Sequence, residues 1–311
     1  MPDERLDSLT DWLENFFGDE NFVISKASDD ASFRRYFRIE RDNSTFIAMD
    51  APPKQENNSQ FLLIAKLLNN NNIHAPKIIQ ADLTDGFLLL EDLGSSTFLD
   101  TLKGKFNTSL YKLAIDILIE IQSIDTQNIN LPSYNSEILN TEMQLLIDWY
   151  LPKELSSKHS NNLKEIFKTL IDNSLNSGQV LVHRDYHCRN LMFINDNDLG
   201  VIDFQDAVIG SNTYDLCSLL KDAYFELNQE QLQILLKYFY DKSNISTKFT
   251  DFMKQFELMG LQRHLKILGI FKRLSIRDGK HQYLDDIPLV KKYALQIANK
   301  YPEFAILKEI L

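Results

Sequence analysis

Leu181-Val182-His183-Arg184-Asp185-Tyr186-His187-Cys188-Arg189-Asn190, answered thirteen residues past Asn190 by Asp203-Phe204-Gln205-Asp206, is the stretch around which this chain is organised. Three oxygen-bearing side chains, Asp185, Asn190 and Asp203, stand at spacings that suit one general base and one or two Mg2+ ions. His183 and Asp185 lie on the turn after an apolar strand, where a rigid sheet can aim them into a cleft.

Short strands are expected at 180–183, 191–194 and 199–202, flanking this stretch, and the chain from 212 onward reads as helical. Toward the N-terminus a first helix is expected over about 6–17, then strands at 22–25, 32–39 and 45–50. Alternation along the second of these places Arg34, Tyr36 and Arg38 on one face and Phe33, Arg35, Phe37 and Ile39 on the other. A helix over 58–69 carries Phe61, Leu62, Ile64, Ala65 and Leu68, and strands at 77–82 and 86–91 follow. The pattern breaks at Asp92-Leu93-Gly94 and turns helical to about 176, so the expected division is into residues 1–93 and 94–311.

The 311 residues carry 33 basic and 44 acidic side chains, a net charge of −11 that disfavours nucleic acid as a partner, since backbone binding needs a cationic surface. The amphipathic N-terminus with Trp12, Phe16 and Phe17 lacks the apolar core and cleavage site of a signal peptide, which leads us to expect a cytoplasmic chain. No apolar run is long enough to span a membrane: 256–276 is interrupted by Arg263, His264, Lys266, Lys272 and Arg273. Two cysteines, Cys188 and Cys217, are too few for a disulfide framework, and no Cys/His cluster has zinc spacing. A monomer is expected.

Phosphoryl transfer needs a hydroxyl held in line, a group to take its proton late, and positive charge around the moving phosphate. Asp185 fits the base; Asn190 offers a carbonyl oxygen and Asp203 a carboxylate to Mg2+. A lone Asp-x-x-x-x-Asn would read as strand-end capping. The His-Arg-Asp lead, the following strand and Asp203-Phe204 together favour the kinase arrangement.

On these residues the chain resembles the aminoglycoside phosphotransferase-like kinases, and His187, two after the base, suits that small-molecule branch. Within it, the chain looks closest to the bacterial kinases that phosphorylate the anomeric hydroxyl of N-acetylmuramate and N-acetylglucosamine in cell-wall sugar recycling. The resemblance runs almost end to end: Ser28 through Arg38, Met49-Asp50-Ala51-Pro52-Pro53, Gly86 through Gly94, Val180 through Asn190, Asp203 through Ala207, Thr213-Tyr214-Asp215, Leu258 through Phe271 and Arg277 through Lys280. It implies an α+β, bilobal, protein-kinase-like fold, with a small nucleotide-binding N-lobe of antiparallel sheet plus helix and a larger, mainly helical catalytic and acceptor-binding C-lobe. It also implies ATP and Mg2+ as cofactors, an amino sugar as small-molecule partner, and a sugar α-1-phosphate as product.

The nucleotide end departs from the kinase pattern. Met49 stands where the phosphate-binding Lys is expected, and the helix Ser59 to Leu68 has no Glu to pair with one. Arg34, Arg35 and Arg38, with the backbone from Asp30 to Ser32, are the local alternatives; Arg34 comes first and Lys54 is weaker. Ser32 and Arg34 are therefore expected at the phosphates, and Glu91 and Leu93 at the adenine edge through their backbone, a placement the resemblance implies. Asp215 is expected to brace the catalytic loop. Arg263, Lys266, Arg273 and Arg277 share one side of a helix, which reads either as a solvated face salt-bridged to acidic neighbours or, with Arg263 and its neighbour His264 at the acceptor, as cations that could receive the lactyl carboxylate of N-acetylmuramate. Other acceptors of the same fold, an aminoglycoside or a choline-like alcohol, stay open from the sequence, as does a nucleotide-binding pseudokinase, which Met49 motivates.

Overall fold

Leu9 and Leu13, one helical turn apart, give the first helix an apolar edge, and that edge decides what the first sheet packs on. The computed structural model describes residues 3–28 and 33–311 and divides the chain into two units, Met1–Ser96 with Met192–Asp206, and Thr97–Leu191 with Ala207–Leu311.

In the first unit, α1 (Glu4–Phe17) is capped by Asp3, whose side chain accepts the Leu6 N–H, and ends at Gly18. Strands β1 (Val23–Ser28), β2 (Arg35–Arg41) and β3 (Ser44–Asp50) precede α2 (Asn58–Asn70), and β4 (Ile78–Asp82) and β5 (Phe87–Glu91) follow it. The five strands form an antiparallel sheet in the order β1-β2-β3-β5-β4. Leu9 and Leu13 of α1 meet Phe37, Ile39, Ala48, Phe87 and Leu89 on one sheet face. Gly86 has φ +79°, and a Cβ there would lie 2.1 Å from the Ala51 carbonyl oxygen, so the turn into β5 requires glycine.

The second unit is built on helices α3 (Phe98–Leu102), α4 (Thr108–Gln122), α5 (Ser136–Leu145), α6 (Lys153–Lys158) and α7 (Ser160–Leu175). Four short strands follow in the chain, β6 (Gln179–Val182) and β9 (Val208–Ser211) in this unit, and β7 (Leu191–Asn195) and β8 (Asp198–Val201), which fall almost wholly in the first. Helices α8 (Tyr214–Leu220), α9 (Gln229–Lys242), α10 (Phe249–Asp278), α11 (Ile287–Lys300) and α12 (Leu307–Ile310) complete the chain. At 30 residues, α10 is about 45 Å long. Its Leu258, Leu261, Leu265, Leu268 and Phe271 pack with Met143, Leu163, Ile166, Leu170, Val290 and Ala294 from three other helices. A Cβ at Gly269 would sit 2.3 Å from the Leu145 carbonyl carbon; this glycine lets α10 touch the end of α5.

Three expectations shift. The strand expected from 32 begins at Arg35, which leaves Phe33 67% exposed instead of on the apolar face. Strand β9 was not expected; it pairs with β6, Val182 opposite Val208, and anchors the strand that leads into His183. Met192–Asp206, expected with the second lobe, groups with the first unit. There Phe193 N–H donates to Ser96 O, Val201 N–H to His74 O, Phe61 packs on Phe204, and Leu93 fills the space beside Gly200. No helix among the described residues is long and apolar enough to cross a membrane.

Candidate active site

The loop after β6 is tied down at nearly every residue. Asp215, fully buried on the first turn of α8, accepts the backbone N–H of His183 at 2.6 Å and of Arg184 at 3.0 Å. Arg184 is left-handed, φ +78°, which is costly for an L residue outside glycine, and its carbonyl accepts from Arg263 Nη1 at 3.0 Å. Asp185 N–H donates to His183 Nδ1 at 3.2 Å, and the Asp185 carbonyl accepts from His187 N–H and from Asn190 Nδ2 at 3.1 Å. Farther along, Tyr186 donates its hydroxyl to Ala114 O at 2.8 Å, and Cys188 N–H donates to Asp222 at 3.0 Å. The ring of Tyr224 takes His187 edge-on and Arg189 over its face.

This scaffold presents Asp185 half-buried. Burial by itself would raise its carboxyl pKa, but the positive field of Lys266, His187, Arg263 and His183 outweighs burial and holds it below the usual carboxylate range. A carboxylate kept ionised is an acceptor only, as a base must be. Asp215 goes the other way: burial pushes its carboxyl up although two backbone donors and His183 oppose that. Asn190 spends its amide nitrogen on the Asp185 carbonyl, so its oxygen is the end suited to a cation.

Asp203 belongs to the first unit. It is also left-handed, φ +63°, and accepts from Gln205 Nε2 at 2.8 Å. No cluster of three or more His, Cys, Asp or Glu among the described residues could hold a metal on its own. Mg2+ does not need one, since it takes one or two protein oxygen ligands beside phosphate and water, and Asn190 in the second unit and Asp203 in the first each carry an oxygen of that kind.

Among the expected nucleotide residues, Arg34 is 7% exposed and pairs with Glu56 at 2.7 Å; Glu56 also accepts the Phe33 N–H. Arg35 bonds Asp50 and Asp3, and Arg38 bonds Asp92 at 2.7 and 3.0 Å. Burial would raise the Asp92 carboxyl, and Arg38 with the Gly94 N–H pulls it below the ordinary range. Glu91 accepts the Lys77 N–H, Leu93 is buried, and Met49 is fully buried and has neither charge nor donor to replace a lysine. Lys54 is exposed, and Ser32 lies outside the described residues.

The acceptor expectations meet a different picture. Arg263 is 6% exposed, its guanidinium spent on Arg184 O and Ser218 Oγ and laid on the Tyr214 ring. His264 is 3% exposed, with Nε2 on Lys221 O at 3.1 Å and its ring stacked on Tyr293. Lys266 is buried and meets Glu142 at 2.8 Å, whereas Arg277 is exposed beside Asp278. The stripe is therefore not one solvated face. Among its inner residues Arg263 braces the loop through Arg184 O while Lys266 meets Glu142 and Tyr214, because the helix is buried almost all round at 258–266.

Glu142, Tyr134, Asp222 and Glu56 were not singled out from the sequence. For Glu142 a signal existed: Leu139, Glu142 and Met143 share the buried side of α5, and an acid on an apolar face asks for a partner.

Residues 23–244 match the model of the phosphotransferase enzyme family. The N-acetylmuramate/N-acetylglucosamine kinase of Pseudomonas aeruginosa is 39% identical, over 99% of this chain and 96% of that protein. The protein of the same name from Neisseria meningitidis is 35% identical, over 99% of this chain and 95% of its own. Among solved structures, the choline kinase LicA of Streptococcus pneumoniae superposes with a TM-score of 0.69 at 13% identity, covering 94% of this chain and 99% of that one.

Proposed function

Because the chain belongs to the phosphotransferase enzyme family, we propose that it transfers the γ-phosphate of ATP to the anomeric hydroxyl of N-acetylmuramate, N-acetylglucosamine or both, yielding a sugar α-1-phosphate. The observation that carries this reading is the 39% identity, over 99% of the chain, to a relative named for those two sugars. The two-unit organisation is consistent with a kinase in which the first unit binds the nucleotide and the second supplies the base and receives the sugar.

In this reading Asp185 accepts the proton of the C1 hydroxyl as the new P–O bond forms. An anomeric hydroxyl is more acidic than an ordinary alcohol, so a carboxylate held ionised and weakly basic is adequate. Asn190 and Asp203 are the proposed Mg2+ ligands; the ion, when bound, neutralises charge on the phosphates. Arg34, held by Glu56, is the proposed phosphate contact in place of the missing lysine, and the backbone of Glu91 and Leu93 is the proposed contact with the adenine. We further propose that the protein works as a cytoplasmic monomer.

Incubation with ATP, Mg2+ and each sugar, followed by phosphorus NMR, is the test. A sugar 1-phosphate signal from the wild type that falls about 10²–10⁴-fold in rate in Asp185→Asn supports the reading. Folded wild-type protein that turns over neither sugar refutes it.

A further inference from the structure

Arg184 sits directly before the proposed base in a left-handed conformation that an arginine does not adopt unaided. Its backbone is held by Asp215 and Arg263, but its side chain is also caught: Nη2 lies 2.6 Å from Glu142 Oε1, and the guanidinium rests over the Tyr134 ring. The same Glu142 oxygen meets Lys266 Nζ at 2.8 Å, and the other accepts the Tyr134 hydroxyl.

The remaining contacts close a ring. A phenol has one proton, and that of Tyr134 is committed to the carboxylate. The 3.0 Å contact between the Tyr134 and Tyr214 oxygens is then donated by Tyr214, whose oxygen in turn accepts from Lys266 at 3.1 Å. Lys266, Tyr214, Tyr134 and Glu142 thus satisfy one another out of water, all four buried. Burial raises the Tyr134 phenol, keeping it a donor, while Lys266 and Arg184 overcome burial and hold Glu142 ionised.

Charge explains why an acid is needed there. Arg184, Lys266 and Arg263 are three cations; Glu142 and Asp215 bond to Arg184 or Lys266, and Asp185 lies in the field of Lys266 and Arg263. Glu142 satisfies Lys266 and Arg184. Without its charge, the carboxylate left to answer Lys266 is Asp185, the group that must face the substrate.

We propose that Glu142 is a positioning residue for Asp185: it fixes the left-handed turn through the Arg184 guanidinium and occupies Lys266, so that the base stays directed at the acceptor. The inference rests on the kinase reading for the role of Asp185, but not for the state of the loop, and the two can be tested apart.

The loop is tested first, by hydrogen–deuterium exchange over residues 181–190 in wild type and Glu142→Gln. Exchange in that segment is expected to rise in the variant while the α10 core stays protected; unchanged exchange there overturns the proposal whatever the substrate is. Kinetics with ATP and each sugar follow. Glu142→Gln is expected to lower kcat about 10²-fold, equally for both sugars, with the ATP KM within about 2-fold of wild type. Arg184→Gly supplies the decisive background, because glycine adopts φ +78° without strain and has no guanidinium to hold. There Glu142→Gln is expected to cost at most about 10-fold further, through Lys266 alone, since the two residues act in part through one contact. A full second 10²-fold loss in that background, or a raised KM at unchanged kcat, overturns the proposal.

Discussion

Lowering the pH from 7 to 5 destabilises this protein through His264, and a glutamine at that position removes the effect. His264 is 3% exposed, its Nε2 lies 3.1 Å from the Lys221 carbonyl, and its ring stacks on Tyr293 at 5.0 Å. Burial, aided by Lys221 and Arg263, depresses its pKa from 6.5 to about 3, although the bond to Lys221 O opposes this. The folded chain therefore binds fewer protons at this site than the unfolded chain. The stability it contributes is complete above the unfolded value of about 6.5 and is lost as pH falls from there toward about 3. Between pH 7 and pH 5 the loss integrates to about 2 kcal/mol, a sizeable part of the 5–15 kcal/mol typical of a folded chain. Urea unfolding of wild type and His264→Gln at both pH values measures it. Glutamine keeps a donor for Lys221 O and does not titrate, so the stability gap between the two proteins should close by about 2 kcal/mol at pH 5. Equal losses in both proteins would refute the burial argument. A loss confined to sugar binding would restore His264 to the acceptor site.

Arg263→Met is expected to reduce kcat to a similar degree for N-acetylmuramate and N-acetylglucosamine, because its guanidinium holds Arg184 O and Ser218; a selective loss with N-acetylmuramate would revive the carboxylate role. Arg34→Ala and Glu56→Gln should each raise the ATP KM, by about 10-fold, as partners in one buried pair, and steady-state kinetics showing an effect for only one of them would separate the two residues. Gly86→Ala should destabilise by at least about 1–2 kcal/mol from its left-handed backbone alone, more with the Cβ at 2.1 Å from Ala51 O, as read by urea midpoints.

The loop at 183–190 was legible as a candidate because the chemistry proposed for it is local: the proposed base, the amide and the imidazoles fall within eight positions of 183–190. Asp215 was legible for the same reason, placed at the start of a helix beyond the motif. What escaped depends on distance in the chain. Arg184 meets Glu142 across 42 positions, and helical spacing reports only that Glu142 faces inward, not which charge it finds. The arginine-rich strand shows a subtler failure. The helix 59–68 was read only for a glutamate to pair with the missing lysine, whereas Glu56, which pairs with Arg34, lies just before α2, where a pattern that looks along the helix does not reach. On α10 the period correctly placed Arg263 and Lys266 on one side. Period does not say whether that side meets water, and here it meets Glu142, Tyr214 and Ser218.

Backbone strain separates two residues at the candidate site from those in ordinary turns. Five non-glycine residues among those described have positive φ. Asp42, Asn72 and Lys103 are exposed, two of them with the short polar side chains that tolerate this conformation and the third capping α3. Arg184 and Asp203 are partly buried, and they are the residue before the proposed base and a proposed metal ligand. Strain of this kind persists only where the surroundings over-determine it. For Arg184 the surroundings are on view: a carboxylate on its N–H, a guanidinium on its carbonyl, and a carboxylate and a ring on its side chain. Four separate groups holding one residue exceed what a connecting loop requires. The same number is reasonable for a residue whose neighbour must present a carboxylate within a few tenths of an ångström at every turnover.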